Sequence, residues 1–275
     1  MEKLLLEYCI KQHSNIAHYL NLCVERAEAE SVHQLRVSIK KFRAVSALLE
    51  YLMPETGREN KQQLGKLREL FKLAGQLRDS QVQLILFNYY KTELRIEDTG
   101  FEYFLKKNET SALRKFLAGF SLFKKMVAGQ PFHRLNLKKL ELNPAESLRP
   151  VASKLLEKRM KKLRKAVQAA DSDSMLHNAR IQLKQIRYML GILTSQDSFF
   201  EKYDVAMAGL RVAEIQLGRW HDLVVFRETI NKYLKRRQKK NTAGQNEILT
   251  LNATVTIDIE IYKEQIMSSF KKYLQ

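Results

Sequence analysis

The sequence predicts an all-α protein assembled from two matching sets of helices. Three observations carry that reading. Apolar residues recur at three- and four-residue spacing along nearly the whole chain, the signature of buried helix faces. Only 4 Pro and 10 Gly punctuate 275 residues, too few for a turn-rich β architecture. Two short motifs also recur in the same order at nearly the same separation, which points to internal duplication. A 45% apolar content that includes 13 Phe and 11 Tyr can fill a sizeable core.

The periodicity places helices at roughly 2–28, 31–52, 58–76, 79–95 and 99–128. Ser31 with Gln34 resembles a capping box at the start of the second, and Leu35, Ile39, Phe42 and Leu49 give it an apolar face. Gly75 precedes a break, after which Asp79 is suited to cap the fourth. Gly129-Gln130-Pro131 through Pro144 is the one long stretch with loop character. Helices resume at roughly 147–170, 174–194, 198–220, 222–239 and 243–273. Asp171, Asp173 or Ser174 caps the second of these, Leu183, Ile186 and Leu193 form its apolar side, and Asp222 after Gly218 repeats the Asp79 arrangement. Lys235 to Lys240 reads as a solvated turn. Val255-Thr-Ile-Asp-Ile-Glu-Ile alternates as a strand does, but a lone strand has no partner in so helical a chain, so the last segment is read as helix.

Val32 to Arg43 lies over Leu176 to Arg187 at an offset of 144, and Ala74 to Asp79 over Leu217 to Asp222 at an offset of 143, an offset Arg68 and Arg211 share. The chain therefore reads as two pseudo-symmetric halves, about 1–130 and 147–275, joined by a loop at about 129–146 and forming a single domain.

Charge narrows the function. There are 48 Lys plus Arg against 30 Asp plus Glu, a net +18. The excess is no tail, because residues 1–144 carry 24 basic and 16 acidic side chains and residues 145–275 carry 24 and 14. Such a balance suits a polyanion. No apolar run approaches the ~18 residues of a membrane span, and the first residues lack a small-residue cleavage site, so a cytoplasmic location is expected. Cys9 and Cys23 are about 21 Å apart on one helix, too far to bridge, and read as buried thiols.

At about 100° per residue, His33, Arg36, Lys40 and Arg43 fall within an arc of about 80°, apart from the apolar face, and His177, Arg180, Lys184 and Arg187 repeat the pattern. Like charges stacked this way repel by about 0.2–0.5 kcal/mol per pair, which an anion would offset. A solvated face needs charge but no particular order; here one order of His, Arg, Lys and Arg recurs in the same register. Two such rows facing each other would line a groove of positive potential fitted to a linear polyanion. Arginine's planar fork matches phosphate, lysine supplies a mobile point charge, and histidine a switchable donor. A core role for each His is the competing reading. A metal site is not expected, since the histidines sit among cations without ligand-spaced partners, and His13, His18, His133 and His221 form no constellation. Asp79 and Asp222 are assigned structural or orienting roles. The basic stretch Lys154 to Lys165 is charged nearly all round, so only part of it can face a groove.

The His-x-x-Arg-x-x-x-Lys-x-x-Arg pattern, present twice, with Leu77-Arg78-Asp79 and His221-Asp222 downstream, resembles the conserved histidine α-helical domain, CHAD. The resemblance spans nearly the whole chain. It implies two helical-bundle halves related by internal symmetry, with a basic cleft or pore that binds inorganic polyphosphate. By motif match the ligand-facing residues are His33, Arg36, Lys40, Arg43, His177, Arg180, Lys184 and Arg187, with Arg78 in addition. Lys41, Tyr188, Arg68, Arg211, Lys154 and Lys158 are secondary candidates. The chain departs from the repeat at Gln185, opposite Lys41, and at His221, opposite Arg78.

The expected function is thus non-enzymatic polyphosphate binding without a cofactor, by a binding module alone, with targeting to polyphosphate granules as a use for it. Two other classes compete. A nucleic-acid binder would need aromatic rings exposed along the basic groove, and the motif helices offer only Tyr188 and Phe42, the latter on the apolar side. A phosphoryl-processing enzyme would need metal-holding carboxylates or a glycine-rich phosphate cradle, and Asp171 with Asp173 reads as a helix start instead.

Overall fold

The computed structural model describes residues 2–52, 54–120, 123, 148–168, 172–195, 197–237 and 244–274. Among the described residues there are nine α-helices, one 3₁₀ turn and no strand. In order they are α1 (Glu2–Glu25), α2 (Ala29–Leu52), α3 (Pro54–Leu94), α4 (Thr99–Ala118), α5 (Leu148–Gln168), α6 (Asp173–Thr194), the 3₁₀ turn Ser198–Phe200, α7 (Glu201–Ala208), α8 (Leu210–Arg237) and α9 (Gln245–Leu274). No helix among the described residues is long and apolar enough to cross a membrane. The expected loop at 129–146, His133, Asp171 and residues 238–240 of the basic turn lie outside the described residues.

Several boundaries differ from the sequence reading. No break separates residues 76 and 79, because α3 is one helix of 41 residues. The break expected near Asp222 falls at Gly209, and α8 passes through Gly218, His221 and Asp222 without interruption. Asp79 and Asp222 are mid-helix residues and cap nothing. Glycine inside a helix costs only about 1 kcal/mol relative to alanine. Burial of Ala74, Leu77, Leu217 and Trp220 beside these glycines outweighs that cost. Conversely, α4 stops at Ala118 rather than near 128. A Cβ at Gly119 would come within 2.6 Å of the Phe123 ring, so the turn there needs glycine's small volume.

Two helix starts are also corrected. Helix α2 begins at Ala29, ahead of Ser31, whose hydroxyl donates to the Glu28 carbonyl at 2.8 Å. Gln34 donates to the Glu30 carboxylate, so no capping box forms. Ser172 occupies the N-cap of α6, and Asp173 and Ser174 are already helical. The strand-like stretch is helical, as expected. On α9, Val255 and Ile259 turn inward, whereas Ile257 and Ile261 are exposed.

The chain packs as two compact units, Met1–Ala74 with Phe116–Gly209, and Gly75–Lys115 with Leu210–Gln275. Each unit is built from two segments far apart in sequence. In the first unit α1 lies along α2, α5 along α6, and α2 packs against α6. Its core takes Leu35, Ile39, Phe42 and Leu49 from α2 and Leu176, Leu183, Ile186 and Leu193 from α6, all buried. Cys9 and Cys23 are buried free thiols, pushed up to about 12 and about 11 by burial. Arg149 grips Asp197 with two hydrogen bonds of 2.7 and 3.1 Å, tying the start of α5 to the turn after α6.

In the second unit α8 and α9 pack along each other. Phe101 of α4 meets Phe87 of α3 edge-on at 5.2 Å and Tyr233 of α8 at 4.9 Å. The α3–α4 connection is held by Asp98, which accepts from the Phe101 amide at 2.9 Å and pairs with Arg237 at 2.5 Å. Arg237, assigned to the solvated turn in the sequence reading, is thus half-buried in the last turn of α8. Glu247 accepts from the amides of Glu97 and Asp98 at 2.8 and 2.9 Å.

Candidate functional site

Both motif helices, α2 and α6, belong to the first unit and pack against each other there. The wheel geometry that buries Leu35, Ile39 and Phe42 leaves the cationic arc of α2 to one side. On that arc His33 is exposed, while Arg36, Lys40 and Arg43 are half-buried, as is Lys41 outside it. On α6, His177, Arg180, Lys184 and Tyr188 are half-buried and Arg187 is exposed. Long cationic side chains at such positions bury their stems and keep their heads near water.

Lys40 reveals how the two rows meet. Its amine is pushed down to about 7, first by burial and then by Lys184, Arg36, Arg180 and Arg187. One of those cations lies on its own helix and three on α6. The electrostatic influences on Lys40 are all positive, so the amine sits where the fields of both rows add. Burial also pushes His177 below the usual imidazole range, with Arg180 second. Arg43 is lowered by burial and then by Arg68, which brings that exposed residue of α3 to the end of the α2 row.

The α2 row rests on an aromatic floor. The guanidinium carbons of Arg36 and Arg43 lie 4.6 and 5.2 Å from the Phe71 ring centroid, and the Lys40 Nζ lies 5.9 Å from it. Arg36 Nη1 also donates to the Phe71 carbonyl at 3.2 Å. One ring of α3 therefore faces three cations of α2, each contact contributing about 0.5–1 kcal/mol where water has access. On α6 the corresponding support is local, with Arg187 over Tyr188 at 4.5 Å.

A model of the CHAD domain matches residues 8–231, a span that contains both copies of both motifs. The chain belongs to the CHAD domain family. Solved structures share the fold, two of them over nearly the whole chain. The crystal structure of the CHAD domain from the plant Ricinus communis is 19% identical with a TM-score of 0.62, covering 96% of this chain and 90% of that one. PptA from Streptomyces chartreusis is 17% identical with a TM-score of 0.72, covering 98% of each chain. No curated protein sequence matches this one.

Within this CHAD domain the remaining candidates divide by unit. Lys154 and Lys158 are exposed on α5 of the first unit. Arg78, Asp79, Arg211, His221 and Asp222 belong to the second. His13 is a core histidine, half-buried, 6.1 Å from the Phe42 ring and pushed down to about 4 by burial.

Two participants escaped the motif search. Phe71 lies on a third helix, and its only signal was its place three residues after Arg68, on the same helical face. Arg159 of α5 donates to Gln185 at 2.6 Å. The neutral residue standing opposite Lys41 in the repeat is thus the acceptor for a further arginine. Among the described residues, no three His, Cys, Asp or Glu side chains converge as metal ligands.

Proposed function

We propose that this CHAD domain binds inorganic polyphosphate, without catalysis, on the paired cationic rows of α2 and α6, and that such binding serves to place the protein on polyphosphate granules. The observation that carries the reading is the environment of Lys40, half-buried over the Phe71 ring between the packed helices α2 and α6, and pushed down first by burial and then by the charges of Lys184, Arg36, Arg180 and Arg187. Holding like charges together costs the folded state free energy, and a polymer with one negative charge per small repeat removes that cost. Arg36 and Arg180 donate forked hydrogen bonds to phosphate oxygens, and the lysines supply point charges. A nucleic acid satisfies the charge equally, but base stacking needs open ring faces. Phe71 already carries Arg36 and Arg43, and Tyr188 carries Arg187.

Calorimetry with long-chain polyphosphate on the wild type and on a double variant, Arg36→Glu with Arg180→Glu, tests the assignment. Each charged hydrogen bond contributes about 1.5–3 kcal/mol, so losing two lowers affinity at least about 100-fold. Circular dichroism checks that both proteins are folded. Unchanged affinity in a folded double variant overturns the site. Single-stranded DNA of equal phosphate number, binding as well as polyphosphate, turns the assignment to nucleic acid. Metal-dependent release of orthophosphate, abolished by changing one carboxylate, replaces binding with catalysis.

A further inference from the structure

We propose that the second unit carries a docking groove for a helix of another protein, and that the helix it takes is amphipathic with a basic polar side. The groove runs between the outer face of α9 and the end of α3, both in the second unit, whereas the cationic rows of α2 and α6 belong to the first.

Helix α9 buries one side and leaves a second apolar seam in water. Thr250, Thr254, Ile257, Ile261 and Glu264 follow one another at four- and three-residue steps, the spacing of a coiled-coil contact line. The Thr250 and Thr254 hydroxyls donate back to the carbonyls of Asn246 and Thr250, both at 3.0 Å, which leaves their methyl groups for the surface. Ile257 and Ile261 are 61% and 45% exposed, while Val255 and Ile259 of the same helix are fully buried. Helix α3 continues this face. Glu247 accepts from the amides of Glu97 and Asp98, and Tyr90 donates to Asp258, so the end of α3 runs antiparallel beside α9. Tyr89 stands about 100° round the helix from Tyr90. It turns to the outer side, 59% exposed, and Ile85 one turn earlier is 56% exposed. Single exposed apolar residues are ordinary, but two pairs, each one turn apart, on neighbouring helices make a patch for a partner to cover.

Charge names that partner. In a chain with 48 Lys plus Arg, residues 241–262 contain none, the longest such run. The groove is edged instead by Glu93 of α3 and by Glu260 and Glu264 of α9, all exposed, with Asp258 held by Tyr90 between the helices. Lys263 reaches Glu260 at 3.9 Å, the long limit of an ion pair, and Arg219 is turned to the Tyr262 hydroxyl at 3.3 Å. Charges that flank an apolar seam select what pairs with it. A second copy of this chain sets the same acids against them, whereas lysines or arginines beside an apolar stripe pair with them. The groove therefore fits a basic amphipathic helix anchored by apolar residues at i, i+3, i+4 and i+7.

The test follows, by fluorescence anisotropy on the full chain, two labelled helical peptides that share one leucine seam and differ only at the flanks, lysine in one and glutamate in the other. Diffuse attraction to a +18 chain favours the glutamate peptide. The lysine peptide is nevertheless expected to bind at least about tenfold more tightly. Ile257→Asn with Ile261→Asn removes two apolar anchors and is expected to weaken it about tenfold or more. Glu260→Lys with Glu264→Lys is expected to reverse the preference between the peptides. Circular dichroism checks that both double variants are folded. Glutamate-peptide binding as tight as lysine-peptide binding in the wild type, or lysine-peptide binding undiminished in the folded isoleucine variant, overturns the proposal. So does a wild-type dimer in sedimentation that the isoleucine substitutions abolish, because the face then belongs to a second copy.

Discussion

A lysine amine half-buried among four cations destabilises the folded chain while it stands ready for an anion. The sign follows from linkage. Lys40 has a folded-state value of about 7, below that of an ordinary lysine. Between pH 7 and about 10.4 the unfolded chain therefore binds more protons there, and stability rises with pH across that window. Lys40→Met removes the charge and keeps an apolar stem of similar length against Phe71. The variant is expected to melt a few degrees higher than the wild type near pH 7, at about 2–4 °C per kcal/mol in chains of this size class, and to bind polyphosphate more weakly. A variant that melts lower would show that the charge is held by an unrecognised acid.

The same residue makes binding depend on pH. The groups facing Lys40 are Arg36 on its own helix, the Phe71 ring of α3, and Arg180, Lys184 and Arg187 on α6. Phosphate bound among them raises the Lys40 value, so affinity is full below pH 7 and falls as pH rises through 7 to 10, by up to about tenfold per unit. His177, held below 6.5, adds a second increase in affinity as pH falls below that point. Calorimetry at pH 6, 7, 8 and 9 reads both effects, and in Lys40→Met the dependence above pH 7 is lost.

Among the elements, α3 shows where sequence pattern stops being informative. The rows on α2 and α6 were legible because i, i+3, i+4, i+7 spacing is a property of one helix. That the rows share a field was not, because it depends on α2 packing against α6, a contact between segments far apart in sequence. Phe71 was hidden for the same reason, and the breaks at Gly75 and Gly218 were misread because tertiary burial overrides glycine's weak helix preference. Phe71 acts as a positioning residue. Phe71→Leu is expected to weaken polyphosphate binding several-fold while leaving its salt dependence unchanged, since the cations remain but lose their platform. Phe71→Trp restores affinity. A changed salt slope in Phe71→Leu would mean that cations had left the site. In the second unit, the α3–α4 connection hangs on Asp98, whose side chain is 2% exposed. Asp98→Ala removes the carboxylate that pairs with Arg237 and accepts from the Phe101 amide, and is expected to cost roughly 3 kcal/mol in denaturant titration. Gly244 adds to this constraint: its φ of +84° suits glycine, and a Cβ there would collide with the Asp98 carboxylate.

At the scale of the whole molecule, the +18 charge sets two salt effects of opposite sign. Without ligand, the cationic excess repels itself, and added salt screens it, so the melting temperature rises between 50 and 200 mM salt. With polyphosphate, binding releases counterions in proportion to the phosphates neutralised. Eight contacts from the two His-Arg-Lys-Arg rows, each with a single-strand slope of about −0.7, predict an affinity loss of about 10³-fold over the same range. General attraction to a basic surface cannot by itself separate from contact at a site on slope alone, so the double charge reversal on α2 and α6 supplies the comparison. It lowers the net charge by only four of eighteen. If affinity came from diffuse charge, the slope would fall in proportion to that change and binding would persist. Contact at the two rows instead predicts that most of the affinity and at least two ionic contacts' worth of slope disappear together, while the rise of melting temperature with salt becomes shallower.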